Sequence, residues 1–336
     1  MNISTLKLLN PPYESLLINA VIELEYLRRL QITGTTPLHI FYQLKDIFHF
    51  LESLGSARIE GNHTTISDYV EAKLKDKTSQ QERFLEIENI ENALTFVEQN
   101  LPNEINHTFV RTLHKLVTQN LSLPPKGEGD HNPGKYRDRE VRIDGSTHTP
   151  PPNVSVHALM DELLEYLNRK DDSKYDLIKI ALVHHRFCWI HPFRNGNGRV
   201  VRLLTYALLL KFGFRVKINQ GRLLNPTAVF CNDRDKYYRM LGIADRGDDP
   251  SLEEWCTYVL DGLRNEFKKL DRLADYEYLK TNILLPAVKV CHDRTVISAE
   301  EKTILEKMLN AEFATIQSGD FATAFPDKNT RPRAMR

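Results

Sequence analysis

HPFRNGNGRVVR (residues 191–202) places a histidine, a Gly-Asn-Gly turn and the arginines 199 and 202 within twelve residues. The stretch before it, IALVHHRFCWI (180–190), is apolar and helical in spacing, and His191-Pro192 breaks that pattern. Helical spacing resumes at once in RVVRLLTYALLL (199–210). The segment therefore reads as helix, turn and the start of a second helix. A helix start carries unpaired backbone N–H groups and the positive end of the dipole, which together suit a phosphate. Gly196 and Gly198 let the backbone come close to such an anion because no Cβ intervenes. Arg199 and Arg202, three apart, share a helix face and can donate bidentately to a polyphosphate. His191, at the mouth of this cradle, can take a proton from an incoming hydroxyl. Asn195 offers an amide oxygen to a magnesium ion where a carboxylate would be the stronger partner.

Working outward, most of the chain repeats the helical signal. Apolar residues recur at spacings of three and four in 13–31, 38–54, 84–101, 108–122, 155–170, 176–190, 203–213, 235–246 and 252–284. Strand-like alternation is confined to REVRID (139–144), followed by a Gly-Ser turn and THTPPPNV (147–154). Three prolines without N–H donors limit this to a short edge hairpin or flap. The expected fold is mainly α with one small β-hairpin flap. Three regions are expected, with bounds that rest on the family resemblance given below: an N-terminal helical extension (1–83), a central domain (84–270), catalytic by that resemblance, and a C-terminal helical part (271–336). The last residues carry Lys328, Arg331, Arg333 and Arg336 without an acid. They fit an incomplete winged-helix or helix-turn-helix and equally a solvated basic terminus.

Composition narrows the classes. The 336 residues carry zero formal net charge and are 41% apolar, so no global field steers the chain to nucleic acid. The four cysteines are scattered with no CxxC pair, which excludes a zinc ribbon and suits a reducing compartment. The first residues lack a basic start followed by an apolar run, and the longest apolar run, LLTYALLL (203–210), is too short for a bilayer. A cytoplasmic chain without membrane partners is expected. The Walker A and HExxH patterns are absent.

HPFRNGNGRVVR closely resembles the signature HPFx[D/E]GNGRxxR of Fic (Fido) domains. PGKYRDREVRI (133–143) and HTPPPNV (148–154) look like that family's flap. The resemblance implies a Fic-type helical core that transfers AMP from ATP to a Ser, Thr or Tyr hydroxyl of a target protein, and in some relatives removes it. By the same resemblance His191 deprotonates the hydroxyl, and Asn197 with the loop amides holds the α and β phosphates. Arg199 holds the β phosphate and Arg202 the γ phosphate. Thr147, His148 and Thr149 dock the target segment, and Tyr237, Leu241 and Asp245 line the base pocket. Asn195 stands where the family has an acidic ligand for Mg2+ (or Mn2+), which implies weaker metal affinity or another donor.

SARIEGN (56–62) is by itself a helix end with Ser56 and Glu60 on one face and Gly61-Asn62 at the turn. It resembles the family's inhibitory motif [S/T]xxxE[G/N]. Glu60 would then pair with Arg202 and deny it to the γ phosphate, a brake carried on the same chain. Relatives of this kind often form homodimers and modify themselves. Two other readings stay open: a DNA-binding regulator using the Fic core as a nucleotide sensor, and a Fic transferase with a different diphosphate donor.

Overall fold

The computed structural model describes residues 6–29, 35–74, 81–143, 145–214 and 228–311. The basic stretch 327–336, and the helix-turn-helix considered for it, lie outside these residues. The chain divides into one compact unit of residues 1–30 and 45–267 and a second of residues 31–44 and 268–336.

The first unit is built around two helices. α1 (Leu16–Arg29), α2 (Leu38–Ile59), α3 (Ile66–Leu74), α4 (Glu82–Asn100), α5 (His107–Thr118) and α6 (Val156–Asn168) precede them. α7 (Asp176–Ile190) and α8 (Asn197–Lys211) then form the central hairpin, and α9 (Ala228–Cys231), α10 (Arg234–Ala244) and α11 (Asp249–Ala274) follow, the start of α2 (to residue 44) and the end of α11 (from residue 268) being counted with the second unit. α7 and α8 pack on each other, with α5 and α4 against α8 and α6 against α7. A helix that is apolar all round belongs in the middle of a bundle. Both helices satisfy this: from Leu177 to Phe187 every side chain of α7 is buried, and so is every one of α8 from Arg199 to Leu210. The charged and polar side chains caught in this core are paired. Lys179, 1% exposed, reaches Asp171 at 2.6 Å and the Arg169 carbonyl at 2.6 Å. His184 lies between the Thr205 and Tyr237 hydroxyls at 2.8 and 3.0 Å. Trp255 of α11 donates its indole N–H to the Ala181 carbonyl at 2.7 Å.

In the second unit α12 (Tyr276–Leu279) starts on an Asp275 cap, and α13 (Leu285–Asp293) and α14 (Ala299–Asn310) follow. Ser298 and Glu301 form a reciprocal capping box at the start of α14. Among the described residues no helix is long and apolar enough to cross a membrane.

Two expectations are corrected. The segment 252–284 is not one helix: α11 ends at Ala274, where Asp275 turns extended and caps α12 through the amides of Glu277 and Tyr278. The β-hairpin flap is absent as a hairpin, because no strand occurs among the described residues. The backbone of 139–143 and 147–152 is irregular, and its carbonyls at Arg139 and Pro151 are taken by the Arg137 side chain in place of a partner strand. Pro150, Pro151 and Pro152 supply no ladder donors. α3, α9 and α13 lie outside the segments with helical spacing; α3 is short, and most of its residues are solvent-exposed.

Candidate active site

α7 ends at His191, whose backbone is left-handed (φ 51°, ψ 60°). A non-glycine residue in that region costs about 1 kcal/mol or more and needs support from its surroundings. Arg137, 3% exposed, supplies it. Its Nε donates to the His191 carbonyl at 2.9 Å, one terminal nitrogen reaches the Ile190 and Pro151 carbonyls, and its backbone N–H donates to the Pro192 carbonyl at 2.8 Å. The orphan carbonyls at the end of α7 are thus capped by a side chain 53 and 54 residues upstream in sequence. Arg137 lies within PGKYRDREVRI (133–143), whose pattern carries no signal of this role. Burial carries the His191 imidazole down to about 4, against a hydrogen bond to the Cys188 backbone that pulls it up. His191 is therefore neutral, a ready proton acceptor.

The turn that follows is held from inside. Asn197, 4% exposed, accepts from the Phe193 N–H and donates to the Phe193 carbonyl, both at 2.9 Å. Here Asn197 shapes the loop. Gly196 sits at φ 74°, where a Cβ would meet Thr118 at 3.1 Å. The Phe193 ring stacks on His114 of α5 at 3.8 Å. His114 accepts from the Gly134 N–H at Nδ1 (2.8 Å) and donates from Nε2 to the Asn195 carbonyl (3.1 Å), as a neutral ring. Burial keeps it neutral, down to about 4. Asp130 receives the Asn195 N–H at 3.0 Å. His114 and Asp130 were not singled out from sequence; a lone histidine in an apolar stripe carries no signal of its distant partners.

α8 then begins at Asn197, and an anion that the chain itself provides lies against its first turn. Glu60, just past the end of α2, has Oε1 2.6 Å from Arg202 and so close to Gly198 that a Cβ there would lie 2.2 Å away. Arg202, 2% exposed, also donates to the Ser56 hydroxyl at 2.9 Å and the Ser56 carbonyl at 3.0 Å. Burial would raise the Glu60 carboxyl, yet Arg202 and Arg199 together hold it below the ordinary carboxylate range. Gly61 continues in the left-handed region (φ 105°). Asn62 does not reach the arginines; its Nδ2 donates to Glu86 of α4 and to the Arg83 carbonyl, both at 2.8 Å.

Arg199 takes a different direction from Arg202 despite the shared spacing. It is fully buried, donating to the Val117 carbonyl at 3.1 Å and the Glu128 carbonyl at 2.7 Å, with Glu86 and Glu128 carboxylates each at 3.4 Å. Asn195 is also committed. Its Oδ1 accepts from the Gly196 N–H at 2.7 Å, and its Nδ2 donates to Glu128 and to the Gly129 carbonyl at 3.1 and 3.2 Å. A single neutral oxygen already in use is a poor match for Mg2+ or Mn2+, which favour carboxylates.

Of the remaining candidates, His148 is placed beside the site, its Nε2 donating to the Trp189 carbonyl at 2.9 Å, while Thr147 and Thr149 are exposed. Asp245 bridges from His185 at 2.9 Å to His148 at 3.9 Å, tying α10 to the segment 147–149. Tyr237 is 2% exposed among Phe230, Trp255 and His184, and Leu241 is half-buried.

The chain is similar to known proteins in sequence and in fold. A family model described as the Fic/DOC family matches residues 104–209. The protein adenylyltransferase Fic of Drosophila yakuba is 28% identical over 206 residues, 60% of this chain and 37% of that one. The protein of the same description from Nematostella vectensis is 28% identical over 204 residues, 60% of this chain and 44% of that one. The chain thus spans less than half the length of these curated relatives. A Fic family protein from Desulfovibrio desulfuricans shares the fold, with a TM-score of 0.60 at 22% identity over 78% of this chain and 76% of that one. The helical core that carries HPFRNGNGRVVR, residues 104–209, is a Fic/DOC family domain.

Proposed function

We propose that this chain is an autoinhibited protein adenylyltransferase of the cytoplasm, moving AMP from ATP to a Ser, Thr or Tyr hydroxyl of a target protein and of itself. The observation that carries the reading is the Glu60 carboxylate on Arg202 at the start of α8, an internal anion where a phosphate would sit. A neutral His191 stands at the other end of the same turn.

In the transfer, the hydroxyl oxygen bonds to the α phosphorus, its proton passes to the His191 imidazole, and the bond to the β-phosphate oxygen breaks. Pyrophosphate leaves with the electron pair. The amides at the α8 start neutralise the phosphates, and Arg202 takes the γ phosphate once Glu60 has moved away. Release of Glu60 also frees the space in front of Gly198. Displaced slightly, the same carboxylate can orient a water on the AMP ester, which is the reverse function. Residues 147–149 border His191 and suit the docking of an extended target segment. Because the donor set at Asn195 fits a divalent ion poorly, the step is carried by these side chains and amides.

The test follows label from α-labelled and γ-labelled ATP into protein, in the wild type, Glu60→Gly and Glu60→Gly/His191→Ala. Incorporation from the α position only, appearing in Glu60→Gly and lost in the double variant, is expected. A second reading, transfer from another diphosphate donor, is favoured by Asn195. Absence of label from either ATP with the nucleotide still bound selects it.

A further inference from the structure

Away from this site, three metal-binding side chains converge on the outer surface of the first unit. His107 opens α5, and His157 and Asp161 stand four apart on α6, so they share a face. One ligand atom from each of the three, a ring nitrogen of each histidine and an Asp161 carboxylate oxygen, lies within 4.8 Å of the other two. The carboxylate bridges the two rings, 2.7 Å from His107 Nε2 and 3.2 Å from His157 Nδ1. His157 and Asp161 are largely exposed, so nothing in the core fixes them in this arrangement.

A further contact bears on the role of His107. Its Nδ1 meets the Tyr136 hydroxyl at 2.8 Å. Metal-bound histidines characteristically engage their second ring nitrogen in this way, which fixes the tautomer and orients the ring. Here the hydroxyl can turn from donor to acceptor while the ring proton moves from Nε2 to Nδ1. The Nε2 lone pair then faces the carboxylate without net release of a proton.

We infer that His107, His157 and Asp161 form a binding site for one divalent ion of the zinc type. Two imidazole nitrogens and one carboxylate are the donor set of zinc, whereas magnesium and calcium require oxygen donors. At zinc's bond lengths tetrahedral ligand atoms lie roughly 3.4 Å apart. The exposed His157 and Asp161 side chains have room to rotate toward that spacing around His107, with solvent in the fourth position. Such an ion would join α5, α6 and the segment bearing Tyr136. The next residue of that segment, Arg137, holds the His191 carbonyl. The ion would therefore stiffen the support of the catalytic turn from outside.

The test is titration of the chelator-treated, tag-free full chain with Zn2+ by calorimetry and with Co2+ by visible absorption. One ion per chain is expected, with Mg2+ failing to compete. Asp161→Asn and His157→Ala each weaken binding at least tenfold, Tyr136→Phe weakens it about tenfold, and His131→Ala leaves it unchanged. Anomalous scattering from a zinc-soaked crystal places the ion between the three side chains. Binding that Asp161→Asn and His157→Ala leave intact, absence of stoichiometric binding, or an ion located elsewhere overturns the inference.

Discussion

His191 and Glu60 are both titratable groups moved from their ordinary values by the fold, and each movement has a measurable consequence. The free imidazole titrates at about 4, because burial outweighs its hydrogen bond to the Cys188 backbone. Its neutral form is the base, so the kcat/KM of Glu60→Gly for target labelling should stay level from neutral pH down to about 5 and fall through about 4. An acid limb near 6.5 would mean either that the imidazole keeps its ordinary value once Glu60 is gone or that another group accepts the proton. Removing Glu60 moves the limb no higher, since its charge favours the protonated ring. The Glu60 carboxyl itself is held below the ordinary carboxylate range, and the sign follows from that. Its contribution to stability is present at neutral pH and is lost as pH falls through the lowered folded value. Glu60→Gln keeps the shape but leaves Arg202, 2% exposed, without its counter-charge. A loss of about 2 kcal/mol in denaturant unfolding at neutral pH is expected, shrinking as the pH is lowered.

Between helices, the support of the active-site turn comes from Arg137, which no pattern in its own segment announces. Val141 and Ile143 alternate with charges as a strand would, yet the Arg139 and Pro151 carbonyls are taken by one guanidinium and the Ile143 carbonyl by the Ser146 N–H. The hairpin expectation failed because alternation reports which faces are apolar, and the partner of a backbone group can be a side chain. The same reason explains what was legible at the site. His191, the glycines and the Ser56–Glu60 spacing act within one turn, so their arrangement is visible in sequence. The opposite directions of Arg199 and Arg202 depend on Val117, Glu128 and Ser56, brought there from distant segments. Arg137→Lys keeps the charge and removes the fork that reaches carbonyls on both sides. In the Glu60→Gly background it should lower labelling roughly 100-fold, the scale of a misplacement of about 1 Å, with ATP affinity nearly unchanged. Equal losses in affinity and rate would show that Arg137 supports the phosphate cradle as well as the base.

At the scale of the whole molecule the brake couples nucleotide binding to folding stability. If the γ phosphate seats on Arg202 only after Glu60 has left, wild-type protein must first give up the pair, about 2 kcal/mol. That weakens productive binding roughly 30-fold relative to Glu60→Gly. At an ATP concentration near 100 times the Kd of Glu60→Gly, that variant gains about 2.7 kcal/mol of stability. The wild type, at only about three times its own Kd, gains about 0.8 kcal/mol. Thermal unfolding with and without ATP should therefore show a shift several times larger in Glu60→Gly, although that protein is the less stable of the two without nucleotide. ADP lacks the phosphate assigned to Arg202 and provides the control: its shifts should be alike in the two proteins. Equal ATP shifts would mean that Glu60 and the γ phosphate do not compete for Arg202, and the brake would have to act on the attacking hydroxyl. Equal but unlike-ADP shifts in Arg202→Ala would locate the γ contact on another cation, with Arg199 the nearest on α8.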